Sequence, residues 1–328
     1  MNVPIAVAPD EHARAELVVY SPAFEEALAA AKAFAGASKA ERTVEAYRGA
    51  FSAFCAWCRS TGIADPFPAS VEAVAAYLGH MAGEGRKAST MSLHVAALAC
   101  AHRAAGHEPP TSTEAIRNTM RGIRRRLGSK ADRKAPVTAE LLKRMLKKIP
   151  DTLIGKRDRA LLAIGFAAAL RRSELVALRV EDLERAPEGI VIHILRSKTD
   201  QAGEGQTVAV PAGSRLRPVQ ALDAWLSAAE IRTGPVFRPI AKGGRVGAVA
   251  ISAHSVAQVV KDRAAAAGLD PDLFSGHSLR AGFVTSALEA GADLLKITHV
   301  TRHVKLETLA TYDRRAQAFK DHAGKGFL

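Results

Sequence analysis

The sequence predicts a mainly helical protein in two parts, with one small β-hairpin or sheet confined to the second part. Three observations carry that reading. Up to about residue 127, apolar residues recur at three- and four-residue steps, the repeat of helices with one buried face. Two short runs rich in β-branched residues, Gly189-Ile-Val-Ile-His-Ile-Leu195 and Thr207-Val-Ala-Val210, interrupt the helical pattern and read as strands of an α+β domain. Between the two regions lies a basic tract: Arg117 to Lys134 holds eight basic residues against one acid, Asp132. A chain of 328 residues is comfortable for two domains.

Residues 1–37 read as an N-terminal extension with a helix, and residues 38–127 as an all-helical domain. Val44, Tyr47, Phe51, Phe54 and Cys58 line one face of a helix from Thr43 that ends before Pro66 and Pro68. Ser70 suits the N-cap of a helix reaching about Met81, closed by Gly83 and Gly85. A third helix spans Ser89 to about Ala105, and a fourth spans Thr113 to Leu127. In the fourth, Ile116, Met120, Ile123 and Leu127 form one stripe, and Arg117, Arg121, Arg124 and Arg125 lie on an adjacent face. Lys130, Arg133 and Lys134 continue the charge through a linker over residues 128–137. Such a run is often only a solvated face. At the end of a helical domain and the start of a linker, it suits contacts to a phosphate backbone.

The second domain spans residues 138–328, with Thr138 capping its first helix. Arg159 to Leu170 reads as a nearly all-apolar helix, followed by another that begins at Ser173 or Glu174. After the strands, helices are expected over residues 214–232, 252–267, 277–290 and 294–300, and again from Leu306. Residues 240–248, rich in glycine, read as a flexible surface loop.

Hydrophobic residues make up 48% of the chain, enough for real cores, which argues against wholesale disorder. The net charge of +13 and pI of about 9.9 favour a polyanionic partner. The longest uncharged apolar run, Ala160 to Leu170, is too short to span a bilayer, and no basic segment leads into an apolar core at the N-terminus. A soluble, cytoplasmic protein with no membrane partner is the expectation. Cys55 and Cys58 form a Cys-x-x-Cys inside an amphipathic helix, with no second Cys/His pair at ligand spacing. They read as buried, reduced thiols rather than a metal site.

The candidate chemistry lies in the second domain. Arg171 follows directly on an apolar helix and precedes a helix N-terminus, a place where a fixed guanidinium and free backbone donors can hold an anion. Glu174, three residues on, is placed to orient it through a carboxylate pair. His277 and Arg280 are three apart and share a helix face. Lys198 sits just past a strand, where a loop-tip lysine can be a solvated turn residue or can donate a proton to a leaving group. His303 precedes Tyr312 by nine residues. Of four tyrosines, Tyr20, Tyr47 and Tyr77 fall in the first hundred residues, which leaves Tyr312 beside these groups. Two arginines, a lysine and two histidines suit a phosphate whose charge grows in a transition state. A tyrosine among them suits covalent attack on it.

Taken in order, these motifs resemble the tyrosine recombinase (phage integrase) family over about residues 138–316. The motifs are Leu170-Arg-Arg-Ser-Glu-Leu175, Lys198, His277-Ser-Leu-Arg280, and His303 with Tyr312. The helical region before them resembles the family's core-binding, SAM-like domain. The resemblance implies that Arg171 and Arg280 clamp the scissile phosphate, with His277 and His303 assisting. It implies that Tyr312 attacks to give a 3′-phosphotyrosyl link while Lys198 protonates the 5′-hydroxyl. It also implies double-stranded DNA at specific sites as partner, a homo-tetramer on synapsed DNA, and no cofactor or metal. The sequence has neither a Gly-Lys-Ser/Thr phosphate loop nor a carboxylate cluster, in keeping with that chemistry.

Two departures stand out. Ala281-Gly-Phe283 replaces the His-Thr-Phe of many members, and Thr301-Arg302 stands where Leu-Gly usually precedes the histidine. Neither removes a catalytic side chain, and both point away from the Xer-type group toward integrases of mobile elements. Dimer resolution, a type IB topoisomerase and an inactive DNA-binding accessory factor are the rival readings.

Overall fold

The computed structural model describes residue 26 and residues 41–128, 134–194 and 205–302. The chain forms two compact units, Met1–Ala131 and Asp132–Leu328.

Four helices build the described part of the first unit: α1 (Glu41–Ser60), α2 (Val71–Gly83), α3 (Ala88–Ala104) and α4 (Glu114–Leu127). Ser70 Oγ accepts the Ala73 N–H at 3.1 Å and so caps α2. The apolar faces meet in a core that includes Phe54, Cys58, Val74, Leu78, Met91, Leu98, Ile116 and Met120. Cys55 and Cys58 are buried, free thiols of that core, and burial pushes both pKa values up. Leu127, at the C-terminal end of the α4 stripe, is exposed while Ile116 and Met120 are buried.

In the second unit, α5 (Ala139–Lys147), α6 (Leu153–Ala167) and α7 (Arg172–Ala177) precede an antiparallel sheet. Its strands β1 (Leu183–Ala186), β2 (Gly189–Ile194) and β3 (Gln206–Pro211) lie in sequence order. Helices α8 (Pro218–Ala228), α9 (Ala253–Ala266), α10 (Ser278–Glu289) and α11 (Leu294–Thr301) follow. Strand β2 alternates as a half-buried strand must: Ile190, Ile192 and Ile194 face the core, with Ile192 opposite Val208 and Ile190 opposite Val210. Helix α6 is buried nearly all round and forms the centre of this unit. Its one buried acid, Asp158, accepts from Arg157 on one oxygen and from Arg263 of α9 on the other, at 2.6–3.0 Å. Pairing on both oxygens is what lets a carboxylate stay in a core.

Several boundaries differ from the sequence expectation for local reasons. Helix α6 begins earlier, because Thr152 Oγ1 accepts the Gly155 N–H at 3.1 Å and caps it. It ends at Ala167 rather than Leu170, because Ala169 turns left-handed at φ 46°. Helix α8 starts at Pro218, not Ser214: proline fits the first helical turn, and Arg217 before it is left-handed. Strand β1, polar and only four residues long, carries no pattern of its own and is held by pairing with β2. The 240–248 segment is crossed by a bridge between Ile240 and Val246, with the Ala241 N–H donating to the Arg245 carbonyl at 2.9 Å.

The approach to α10 is close. The Ala135 N–H donates to the Leu273 carbonyl at 2.7 Å and the Val137 N–H to the Ser278 carbonyl at 2.8 Å. A Cβ at Gly282 would lie 1.7 Å from the Val137 oxygen, so only glycine lets this segment cross the helix. That accounts for glycine in one of the two departures noted above.

Candidate active site

Four helix ends meet where the apolar core stops. At the end of α6 the left-handed Ala169 leaves its carbonyl outside the helix ladder, and Arg280 Nη1 donates to it at 2.8 Å. Arg280 Nη2 donates to the Thr301 carbonyl at the end of α11. Helix C-termini present unpaired carbonyls and the negative end of the dipole, so two of them hold one buried guanidinium. Arg280 is 1% exposed, a burial that an arginine tolerates only with such partners.

Arg171 is the N-cap of α7. Glu174, one turn in, accepts the Arg171 backbone N–H at 2.8 Å on Oε2 and Arg171 Nη1 at 2.7 Å on Oε1. The carboxylate half of a capping box is thus also an ion-pair partner. The Glu174 side chain is 2% exposed and that of Arg171 20%, so the carboxylate is fixed and the guanidinium reaches the surface.

His277 lies at the N-terminus of α10, at the surface. Protein on its flanks displaces part of its water, and the positive charges of Arg280 and Arg171 add to that effect; its pKa is held below the usual histidine value. Arg171, His277 and Arg280 therefore form one electrostatic neighbourhood.

A fourth group belongs to it that sequence reasoning did not single out. Arg302, left-handed at φ 55°, donates from Nη2 to Glu174 Oε2 at 2.7 Å, with its side chain 5% exposed. Burial, and to a lesser degree Arg171, lower its pKa while Glu174 opposes the shift. The only signal in the sequence was Thr301-Arg302 standing where Leu-Gly is usual. Among the described residues, three guanidiniums against one carboxylate leave positive charge in excess, a setting for a phosphodiester.

Lys198, His303 and Tyr312 lie outside the described residues, as do Lys130 and Arg133. Arg117, Arg121, Arg124 and Arg125 are all exposed on α4 of the first unit. Arg117 pairs with Glu114 at 3.0 Å, Arg121 bonds Asn118 at 2.7 Å, and Arg124 reaches Ser92 Oγ at 3.2 Å. Lys134 donates to the Asp272 carbonyl at 2.6 Å in the second unit.

A phage integrase family model matches residues 135–318, more than half of the chain and, apart from Lys134, all of the groups just described in the second unit. The chain belongs to the phage integrase family. It is accordingly a tyrosine-type site-specific recombinase. An integrase/recombinase XerD homolog of Selenomonas ruminantium is 39% identical over 292 residues, covering 87% of this chain and 85% of that protein. Recombinase Cre of Escherichia phage P1 is 26% identical over 283 residues, covering 80% of each. Among solved structures, the Tn1549 transposon integrase in complex with transposon right end DNA superimposes with a TM-score of 0.60 at 14% identity, covering 88% of this chain and 96% of that one. A lambda integrase dimer bound to a core site gives 0.59 at 19% identity, with 86% and 92% covered. These likenesses show a common fold. Among the described residues, no helix of this recombinase is long and apolar enough to cross a membrane.

Proposed function

We propose that this recombinase cuts and rejoins double-stranded DNA at specific paired sites through a 3′-phosphotyrosyl intermediate on Tyr312. One observation supports the reading most: Arg171, held by buried Glu174, and Arg280, held between two helix ends, act on the same histidine. Two fixed guanidiniums there suit the non-bridging oxygens of one phosphate. Tyr312 Oη attacks phosphorus and the bond to the 5′-oxygen breaks. Lys198 protonates that oxygen, while His277, held neutral near pH 7, is able to accept the tyrosyl proton, with His303 assisting at the phosphate. The ester keeps the bond energy, so attack by a partner strand's 5′-hydroxyl reseals DNA and frees Tyr312 without ATP or metal. Arg280 is 1% exposed, so its contact with a phosphate requires that the atoms over it move when DNA binds.

In this reading Arg117, Arg121, Arg124, Arg125, Lys130, Arg133 and Lys134 carry backbone contacts from a core-binding domain and linker over residues 38–137. A homo-tetramer performs the exchange on two sites. The biological act is integration or excision of a mobile element, a choice that rests on the departures at Ala281-Gly-Phe283 and Thr301-Arg302. The 39% identity to a protein named as a XerD homolog favours Xer-type dimer resolution as the second reading.

The test begins with DNA fragments from the flanks of the gene that the protein retains, remade as nicked suicide substrates. The wild type is expected to form an adduct on a denaturing gel, and Tyr312→Phe to bind equally but form none. An adduct from Tyr312→Phe would reassign the nucleophile. Bound DNA with no adduct from the wild type would make the protein an accessory factor. Recombination between two unlike sites, against two copies of one site, separates integration from dimer resolution.

A further inference from the structure

Arg302 is the group whose conformation and burial the chemistry above leaves unexplained. It stands at φ 55°, ψ 43°, a left-handed conformation that glycine takes freely and a long side chain does not. Its side chain is almost wholly buried, and two of its N–H groups, Nε and Nη1, find no partner. A strained backbone and two orphaned donors are each unfavourable, so something specific must hold the residue in place. Among the described residues, its guanidinium bonds Glu174 Oε2 at 2.7 Å.

That carboxylate is shared. Oε1 takes Arg171 Nη1, while Oε2 takes both the Arg171 N–H and Arg302 Nη2. A carboxylate gripped from one side only can rotate about its last bond. Gripped from α7 and from the end of α11, it has one orientation, and so has the guanidinium it holds. The neighbouring carbonyl, that of Thr301, accepts from Arg280, so the same turn of chain meets Arg280 directly and Arg171 through Glu174.

We propose that Arg302 is a positioning residue, acting through Glu174 to aim the Arg171 guanidinium and to lock the end of α11 against the start of α7. It rests on the reading of Arg171 as a phosphate clamp. The two orphaned donors and the excess positive charge fit that role: the cluster is arranged for an anion that arrives with DNA.

Single-turnover cleavage of a suicide substrate by the full chain tests this with Arg302→Gly, which relieves the left-handed strain and keeps the fold. Affinity for DNA is expected to stay within about twofold, while cleavage falls by about a hundredfold, the scale of a small misplacement at a reacting centre. Arg302→Lys, which keeps the charge but has a single donor head, should recover part of the rate. In an Arg171→Lys background, Arg302→Gly should cost little more, because the two act as one unit. Wild-type cleavage by Arg302→Gly, or the same cost in both backgrounds, would overturn the proposal. Nitrogen-15 NMR of the arginine side chains reads positioning without catalysis. The Arg171 guanidinium should rotate slowly in the wild type and average in Arg302→Gly; equal rotation in both would also overturn it. A wild type that forms no adduct sinks the recombinase mechanism instead, and the NMR comparison still decides the role of Arg302.

Discussion

At the residue scale, a proton on His277 would sit beside the charges of Arg280 and Arg171 with part of its hydration lost. The folded protein therefore binds that proton more weakly than the unfolded chain, whose histidines titrate near 6.5. The stability linked to His277 is complete above that value and is lost as pH falls toward the lowered folded pKa. NMR titration of the free protein should place His277 below 6.5, and His277→Asn should remove the corresponding loss of stability in mildly acid buffer. A folded pKa at or above the ordinary value would contradict the arrangement. The spacing of His277 and Arg280 made their shared face legible in the sequence. The carbonyls that hold Arg280 were not legible, because they belong to residues 111 and 21 positions away and depend on where two helices stop. Arg302 was hidden for the same kind of reason: no pattern marks a buried arginine in a left-handed turn.

At the element scale, α10 carries His277 and Arg280 and is positioned by the crossing of Val137 over Gly282 and by the edge-on contact of Phe283 with Phe166 of α6, ring centres 5.9 Å apart. Gly282→Ala would put a methyl group 1.7 Å from a backbone oxygen, so the crossing segment must move. Although alanine is the better helix former, the variant should lose about 1–3 kcal/mol, as overpacked sites do. Urea unfolding monitored by circular dichroism measures this, and an unchanged or raised midpoint would mean that the crossing yields freely. The helices of the first unit and the two β-branched strands were legible because each buries one periodic face, and α6 because its apolar run is unbroken. The early stop of α6 was not, since nothing about an alanine announces φ 46° at Ala169. Strand β1 was missed because Leu183-Glu-Arg-Ala186 has no alternation, its place being set by β2.

At the scale of the whole molecule, the net charge of +13 supplies a sequence-independent attraction to DNA that salt should weaken. On α4, Arg117 and Arg121 lie near Glu114, which offsets part of their charge, whereas Arg124, among the described residues, bonds only the Ser92 hydroxyl. Replacing Arg124 and Arg125 with glutamine should therefore flatten the dependence of log affinity on log salt by about two units, with site preference nearly intact. A changed site preference at an unchanged slope would make these residues base readers. Periodicity made a helical region followed by a mixed domain legible, whereas the choice of DNA site leaves no mark that a single chain displays. The mechanism as a whole turns on one bond. Mass spectrometry of the trapped adduct, after protease and nuclease digestion, should find the nucleotide on the peptide containing Tyr312, joined through a 3′-phosphate, with a free 5′-hydroxyl on the released strand. A nucleotide on any other residue, or a 5′-phosphate linkage, would contradict the account.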